Sequence, residues 1–84
     1  MPEISRFYGI IIKMYFFSNE HNPPHIHAFY NKDVATIDIQ TMNVIEGILP
    51  SRALRLVREW LVEHKKEIIS MWCTQEFRKI EPLS

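Results

Sequence analysis

The sequence predicts an α+β fold, in which an antiparallel meander of three or four strands carries one long C-terminal helix packed across one face. Two patterns support this architecture. Runs of β-branched and aromatic residues, separated by turn-forming residues, fill the first half of the chain and are typical of strands. Apolar residues in the second half recur at spacings of three and four, which is typical of an amphipathic helix.

The length and composition indicate one small domain, residues 1–84. The core must be rich in large side chains, and 46% of the residues are hydrophobic and 12% aromatic, which argues against disorder. The single cysteine, Cys73, excludes an internal disulfide framework and favours a reducing compartment. No apolar stretch reaches the ~18–20 residues that cross a bilayer. The N-terminus also lacks the order of a signal peptide. We therefore expect a cytoplasmic protein without a membrane partner.

The charges balance, with ten basic and ten acidic residues and a formal net charge of zero. This balance argues against a generic polyanion binder. A local basic face on the predicted helix is still allowed, because five cations lie in one segment: Arg52, Arg55, Arg58, Lys65 and Lys66. The alternative is an ordinary solvated helix surface, since glutamates are interleaved among these cations.

Residues 4–17 predict the first strand, because most of them are β-branched or aromatic. Six of the seven even-numbered side chains form one apolar face and the other face is also partly apolar, as in a central strand. Residues 18–24 interrupt the pattern, since Pro23 and Pro24 cannot donate hydrogen bonds to a sheet.

Two shorter strands, residues 25–30 and 34–40, predict a hairpin whose register can be derived. Matching their apolar faces requires a loop of two or four residues, because a one-residue slip moves every side chain to the opposite face. Both loop lengths give the same pairing. We therefore predict that His25 lies opposite Asp38 and that His27 lies opposite Thr36.

The second half of the chain predicts a short fourth strand and the helix. A turn at residues 41–43 leads into a strand at residues 44–49. Pro50 and Ser51 begin the helix, since proline is favoured in the first helical turn. The apolar spacing continues to about Cys73 or Phe77, and an extended tail follows.

Two of the four histidines, His25 and His27, leave the same face of one predicted strand. Side chains two residues apart on a strand are separated by roughly 6.6 Å, so two imidazoles can act on one substrate from two sides. We predict His25 as a general base and His27 as a general acid, with Asp38 holding the second ring nitrogen of His25. The alternative is a pair of half-buried histidines with a structural role.

Alternatively, the same segment could bind a divalent metal ion. His21, His25 and His27 could coordinate it together, because imidazole is a common metal ligand. His21 joins this set only if the loop before Pro23 folds back. No other cofactor is indicated, since the sequence lacks paired cysteines and a phosphate-binding glycine loop.

Four segments together carry a resemblance to a known family: residues 2–10 (PEISRFYGI), 21–28 (HNPPHIHA), 49–60 (LPSRALRLVREW) and 79–83 (KIEPL). Along essentially its whole length the chain resembles the bacterial family called domain of unknown function 4160 (DUF4160). The most specific segment is the second. Any function carried over from the family therefore rests on five residues: His21, Pro23, Pro24, His25 and His27.

The resemblance implies a toxin-like component of a two-gene toxin–antitoxin-type module, with a small cognate partner protein of the DUF2442 type. Our first hypothesis is a toxin that acts on RNA, with the histidines as acid and base and Arg52, Arg55 or Arg58 holding phosphate. The second is a non-enzymatic module that docks a partner protein or a second copy through a sheet edge. The third is a histidine-ligated metal protein.

Overall fold

The computed structural model of the chain describes residues 3–14 and 23–83. The described strands are β1 (Glu3–Phe7), β2 (Ile10–Lys13), β3 (His25–Tyr30), β4 (Asp33–Asp38) and β5 (Val44–Gly47), and they precede one helix, α1 (Ser51–Thr74). These strands form one antiparallel sheet in chain order. The predicted α+β meander with a single C-terminal helix is confirmed, with one strand more than expected.

The additional strand arises because the predicted single strand over residues 4–17 is wrong. The chain reverses at Tyr8 and Gly9, whose φ angles of 49° and 80° lie in the left-handed region. Glycine adopts that region without a steric penalty, so Gly9 is the sequence signal for this turn. Phe7 and Ile10 become cross-strand partners and both are buried. Residues 15–17 of the predicted strand lie outside the described residues.

The register predicted for the central hairpin is confirmed. His25 pairs with Asp38, and His27 pairs with Thr36. The two-residue loop needs a left-handed residue, and Asn31 provides it with a φ of 55°. The pairing places both histidines on the same side of the sheet.

The helix has the bounds that the sequence predicts. It begins at Ser51, directly after Pro50, and ends at Thr74. Gln75 then adopts a left-handed conformation, and its N–H donates to the carbonyl oxygen of Met71. Its apolar face packs on the sheet through seven buried residues: Ala53, Val57, Trp60, Leu61, Ile68, Met71 and Trp72. In the described part of the chain, no helix has the length and apolar character to span a bilayer.

The tail after α1 returns to the edge of the sheet formed by β1. The N–H of Ile80 donates to the carbonyl oxygen of Ile4 at 2.7 Å. Nε1 of Trp60 donates to the carbonyl oxygen of Glu81 at 2.9 Å. The tail therefore covers the β1 edge and leaves β5 as the other edge of the sheet.

The two faces of the sheet differ in character. One face is buried under α1 and contributes Ile10, Ile12, Ile26 and Ile37 to the core. The opposite face is called the outer face here. The strand registers show that it carries Ile11, Lys13, His27, Phe29, Val34, Thr36 and Glu46. The candidate site lies on this outer face.

Candidate functional site

His25 and His27 line one small cavity, called the His cavity here. Its volume is about 190 Å³, and it is also lined by Pro23, Thr36, Ile45 and Glu46. The two imidazole rings lie with their centroids 5.1 Å apart in an edge-to-face arrangement. Strand β3 thus brings the two predicted imidazoles together.

The ring of His25 is held in one orientation. Its Nδ1 atom lies 2.8 Å from the carbonyl oxygen of Pro23. Because a carbonyl oxygen only accepts hydrogen bonds, Nδ1 carries the hydrogen and the lone pair of neutral His25 is on Nε2. The ring also packs against Trp72 of α1, with centroids 4.9 Å apart. Nε2 is therefore the ring nitrogen of His25 that can accept or donate a proton in a reaction.

The structure corrects the role predicted for Asp38. Its Oδ1 atom accepts hydrogen bonds from the backbone N–H groups of Gln40, at 2.7 Å, and Thr41, at 3.0 Å. Asp38 and His25 are register partners, but the described residues show no hydrogen bond between the carboxylate and the ring. Local backbone amides compete effectively for an Asp side chain at the end of a strand. Asp38 shapes the turn after β4, and the carbonyl of Pro23 orients the imidazole instead.

His27 has a different environment from His25. It is partly buried, and its Nδ1 atom lies 3.3 Å from Oγ1 of Thr36. Burial, with a smaller Coulombic contribution from His25, lowers the pKa of His27 to about 4. The ring is therefore neutral near pH 7, a state that does not suit the general-acid role predicted from the sequence. It remains a neutral hydrogen-bonding group.

Glu46 is a potential acid–base group that sequence reasoning missed. It lies opposite Thr36 on β5 and is one of the residues that line the His cavity. The registers place Lys13, His27, Thr36 and Glu46 in one row across four strands. The only hint in the sequence is that Glu46 is the one charged residue in an otherwise apolar strand.

A family model provides an independent comparison. The model described as Domain of unknown function (DUF4160) matches residues 9–73. The chain belongs to this family. The match contains every residue that lines the His cavity, whereas β1 and the tail lie outside it. Searches of curated proteins and of solved structures gave no match.

The arginines predicted to hold phosphate do not line the His cavity in this DUF4160 protein. Arg55 and Arg58 line a separate depression of about 490 Å³, whose lining in the described chain lies on α1. Arg58 donates through Nε to the carbonyl oxygen of Met42 at 2.9 Å, and Arg55 lies 3.7 Å from the carboxylate of Glu59. Arg52 is exposed in the first turn of α1 and lines neither cavity. The structure does not place these arginines in the lining of the cavity that contains His25 and His27.

The predicted metal set is only partly described. His21, its third member, lies outside the described residues. Within residues 3–14 and 23–83, no three His, Cys, Asp or Glu side chains form a group that could hold a metal ion. The described residues alone therefore do not build a metal centre in the DUF4160 protein.

Proposed function

We propose that this DUF4160 protein is the toxin-like component of a two-component bacterial module and that it cleaves RNA by general acid–base chemistry in the His cavity. One observation carries the proposed chemistry. His25, an imidazole with a defined tautomer, lines the same cavity as Glu46, which has a carboxylate side chain. A proton acceptor and a proton donor are what cleavage next to a ribose 2′-hydroxyl requires. The toxin-like role rests on the family resemblance.

The proposed reaction moves one proton at each of these two groups. The carboxylate of Glu46 accepts the proton of the 2′-hydroxyl, and the 2′-oxygen attacks the adjacent phosphorus. The bond from phosphorus to the 5′-oxygen breaks, and Nε2 of protonated His25 donates its proton to the leaving oxygen. The products are a 2′,3′-cyclic phosphate and a 5′-hydroxyl. After the transfer His25 is in the Nδ1–H form that the carbonyl of Pro23 stabilises.

His27 and Lys13 have positioning roles in this proposal. Neutral His27, which contacts the Thr36 hydroxyl and lines the cavity, would lie beside the phosphate of the bound RNA. Lys13 is the cross-strand partner of His27, and its ammonium lies 4.9 Å from the centroid of the Phe29 ring. Neither Lys13 nor the three arginines of α1 line the cavity, but Lys13 lies beside His27 on the outer face, and we therefore assign the phosphate contact to Lys13.

A cleavage assay with purified protein tests the proposal. The substrates are an RNA oligonucleotide and a matched oligonucleotide of DNA, which lacks every 2′-hydroxyl. We expect a cyclic-phosphate product from the RNA alone. His25→Ala and Glu46→Gln should each lower the rate by at least ~100-fold. Glu59→Gln, which alters a carboxylate on α1 away from the His cavity, is the matched control and should retain the rate.

Two outcomes would refute the proposed chemistry. One is cleavage of RNA by the His25→Ala variant at the wild-type rate. The other is the absence of cleavage by folded wild-type protein. Growth arrest on expression, compared at equal protein levels for wild type and His25→Ala, tests the toxin-like role separately.

A second candidate function is a non-enzymatic interaction module. It is favoured by two large apolar side chains at the β5 edge, since Ile45 is 50% exposed and Ile48 is 71% exposed. Its partner would be the small DUF2442-type protein that the resemblance implies. A stable complex with the product of the adjacent gene, together with growth effects that do not depend on His25, would favour this module over the enzyme.

A further inference from the structure

We infer that the outer face of the sheet is the interface of a two-fold symmetric homodimer, so that a second copy of this chain covers the His cavity. The interface is independent of the RNA chemistry proposed above. It follows from two rows of side chains that cross the sheet side by side.

The first row is apolar and consists of Ile11, Phe29, Val34 and Ile48. Ile11 pairs with Phe29, Phe29 pairs with Val34, and the N–H of Ile48 donates to the carbonyl oxygen of Val34 at 3.2 Å. None of the four belongs to the described core under α1 or to the side chains packed against it. Exposure reaches 43% at Val34 and 71% at Ile48. A contiguous apolar row of this kind on a soluble domain marks an interaction surface.

The second row is polar and consists of Lys13, His27, Thr36 and Glu46, on β2, β3, β4 and β5 in that order. Its two ends carry opposite charges. The row has one residue on each strand, and its midpoint lies between β3 and β4. Lys13 and Glu46, at the two ends, are therefore equally far from this midpoint. When a second polar row lies opposite the first with its order reversed, each charged end therefore faces an end of the opposite charge.

Consider a two-fold axis that runs parallel to the strands and lies above the outer face, over the gap between β3 and β4. Rotation about this axis places each row opposite the same row of the second copy, with the order of the strands reversed. Lys13 then faces Glu46 of the other copy, and the symmetry creates this contact twice. In the apolar row, Phe29 meets Val34 of the other copy. Aligned sheets pack face to face about 10 Å apart, which long Lys and Glu side chains can bridge. This charge complementarity is the reason to assign the face to a second copy.

The dimer would also control access to the His cavity. His27, Thr36 and Glu46 belong both to the polar row and to the cavity lining. A second copy and an RNA strand therefore compete for the same surface, and this consequence for activity rests on the proposed function. Self-association would keep the protein inactive, and dilution would release the active monomer.

Sedimentation velocity of the full chain over a range of concentrations tests the interface. We expect a concentration-dependent dimer. Lys13→Glu and Glu46→Lys each place like charges opposite one another twice, so each should raise the dimer dissociation constant by at least ~10-fold. An equimolar mixture of the two variants should form a heterodimer, because both contacts then join opposite charges. The double variant Lys13→Glu/Glu46→Lys should likewise recover dimerisation.

A pair of valines provides the matched control. Val34→Lys changes the apolar row and should dissociate the dimer. Val62→Lys changes a side chain that is 67% exposed on α1 and should leave the dimer intact. Circular dichroism checks that all variants are folded.

Three results would overturn the inference: a wild-type monomer at every concentration, a dimer that is insensitive to Lys13→Glu, or a dimer that Val62→Lys dissociates. These results are distinguishable from failure of the RNA proposal. A monomer that cleaves RNA would refute only the dimer, whereas a dimer whose dilution yields no cleavage would refute only the RNA chemistry.

Discussion

The ring of His25 donates its Nδ1 hydrogen to the carbonyl oxygen of Pro23 across 2.8 Å. The two residues are separated only by Pro24, whose ring fixes its φ angle and removes a backbone donor. The Pro-Pro step thus presents a stiff backbone acceptor to the imidazole that follows it. This local contact supplies a physical reason for the sequence Pro-Pro-His at the start of β3.

The tautomer of His25 is the first testable consequence. Neutral His25 should be protonated at Nδ1 and not at Nε2, because the Pro23 carbonyl requires a donor. Two-bond ¹H–¹⁵N correlation spectra of the ring at alkaline pH distinguish the two forms. A spectrum of the Nε2–H tautomer would show that the contact with Pro23 is absent in solution.

The stability of the fold should depend on pH through His27. Its pKa is lowered to about 4 in the folded protein, against about 6.5 in an unfolded chain. Between these values the unfolded chain binds more protons, so the free energy of unfolding rises as pH increases from about 4 to about 6.5 and falls on acidification. Urea unfolding at several pH values measures this slope.

Two variants test the assignment of that slope. His27→Gln should flatten it, because glutamine does not titrate. His25→Gln should raise the pKa of His27, since His25 contributes the second cause of the shift. Equal slopes in wild type and His27→Gln would exclude His27 as the origin.

Asp38→Ala should lower stability without lowering the proposed RNA cleavage. The substitution removes the acceptor of two backbone N–H groups, those of Gln40 and Thr41, at a solvent-accessible turn. We expect a loss of about 1 kcal/mol in the free energy of unfolding. The cleavage rate should stay at the wild-type value because Pro23, and not Asp38, holds the ring of His25. A selective loss of cleavage with unchanged stability would restore the catalytic role first predicted for Asp38.

Two glycines with left-handed backbone conformations should differ in their tolerance to alanine. Gly9 has a φ of 80°, and an added Cβ would make an ordinary contact with the ring of Tyr30. Gly9→Ala should therefore cost about 1 kcal/mol from backbone strain alone. At Gly47, with a φ of 83°, the added Cβ would overlap the carbonyl oxygen of Val34. Gly47→Ala should be the more destabilising, and thermal or urea unfolding ranks the two. The opposite ranking would mean that the backbone of β5 relaxes easily.

Local residue patterns determined much of the fold from the sequence alone. The helix bounds followed from Pro50 and from the spacing of apolar residues. Both are local signals, because they depend only on residues that are close together in the sequence. The register of His25 with Asp38 followed from the period-two alternation of two adjacent strands, because a slip would expose the entire apolar face. The first hairpin was missed because a single left-handed turn at Tyr8 and Gly9 interrupts an otherwise uniform β-forming run.

Only the tertiary structure decided which side chains join His25 and His27 in the His cavity. Glu46 reaches it through the pairing of β4 with β5, and Arg55 and Arg58 are directed elsewhere by the face of α1 on which they lie. Asp38 shows that the strand register does not determine side-chain hydrogen bonds. It is the cross-strand partner of His25, but its carboxylate bonds to nearer backbone amides. Local periodicity determines which way a residue points within its element. The neighbours that give it a chemical role, and the burial that lowers the pKa of His27, arise from segments brought together by folding.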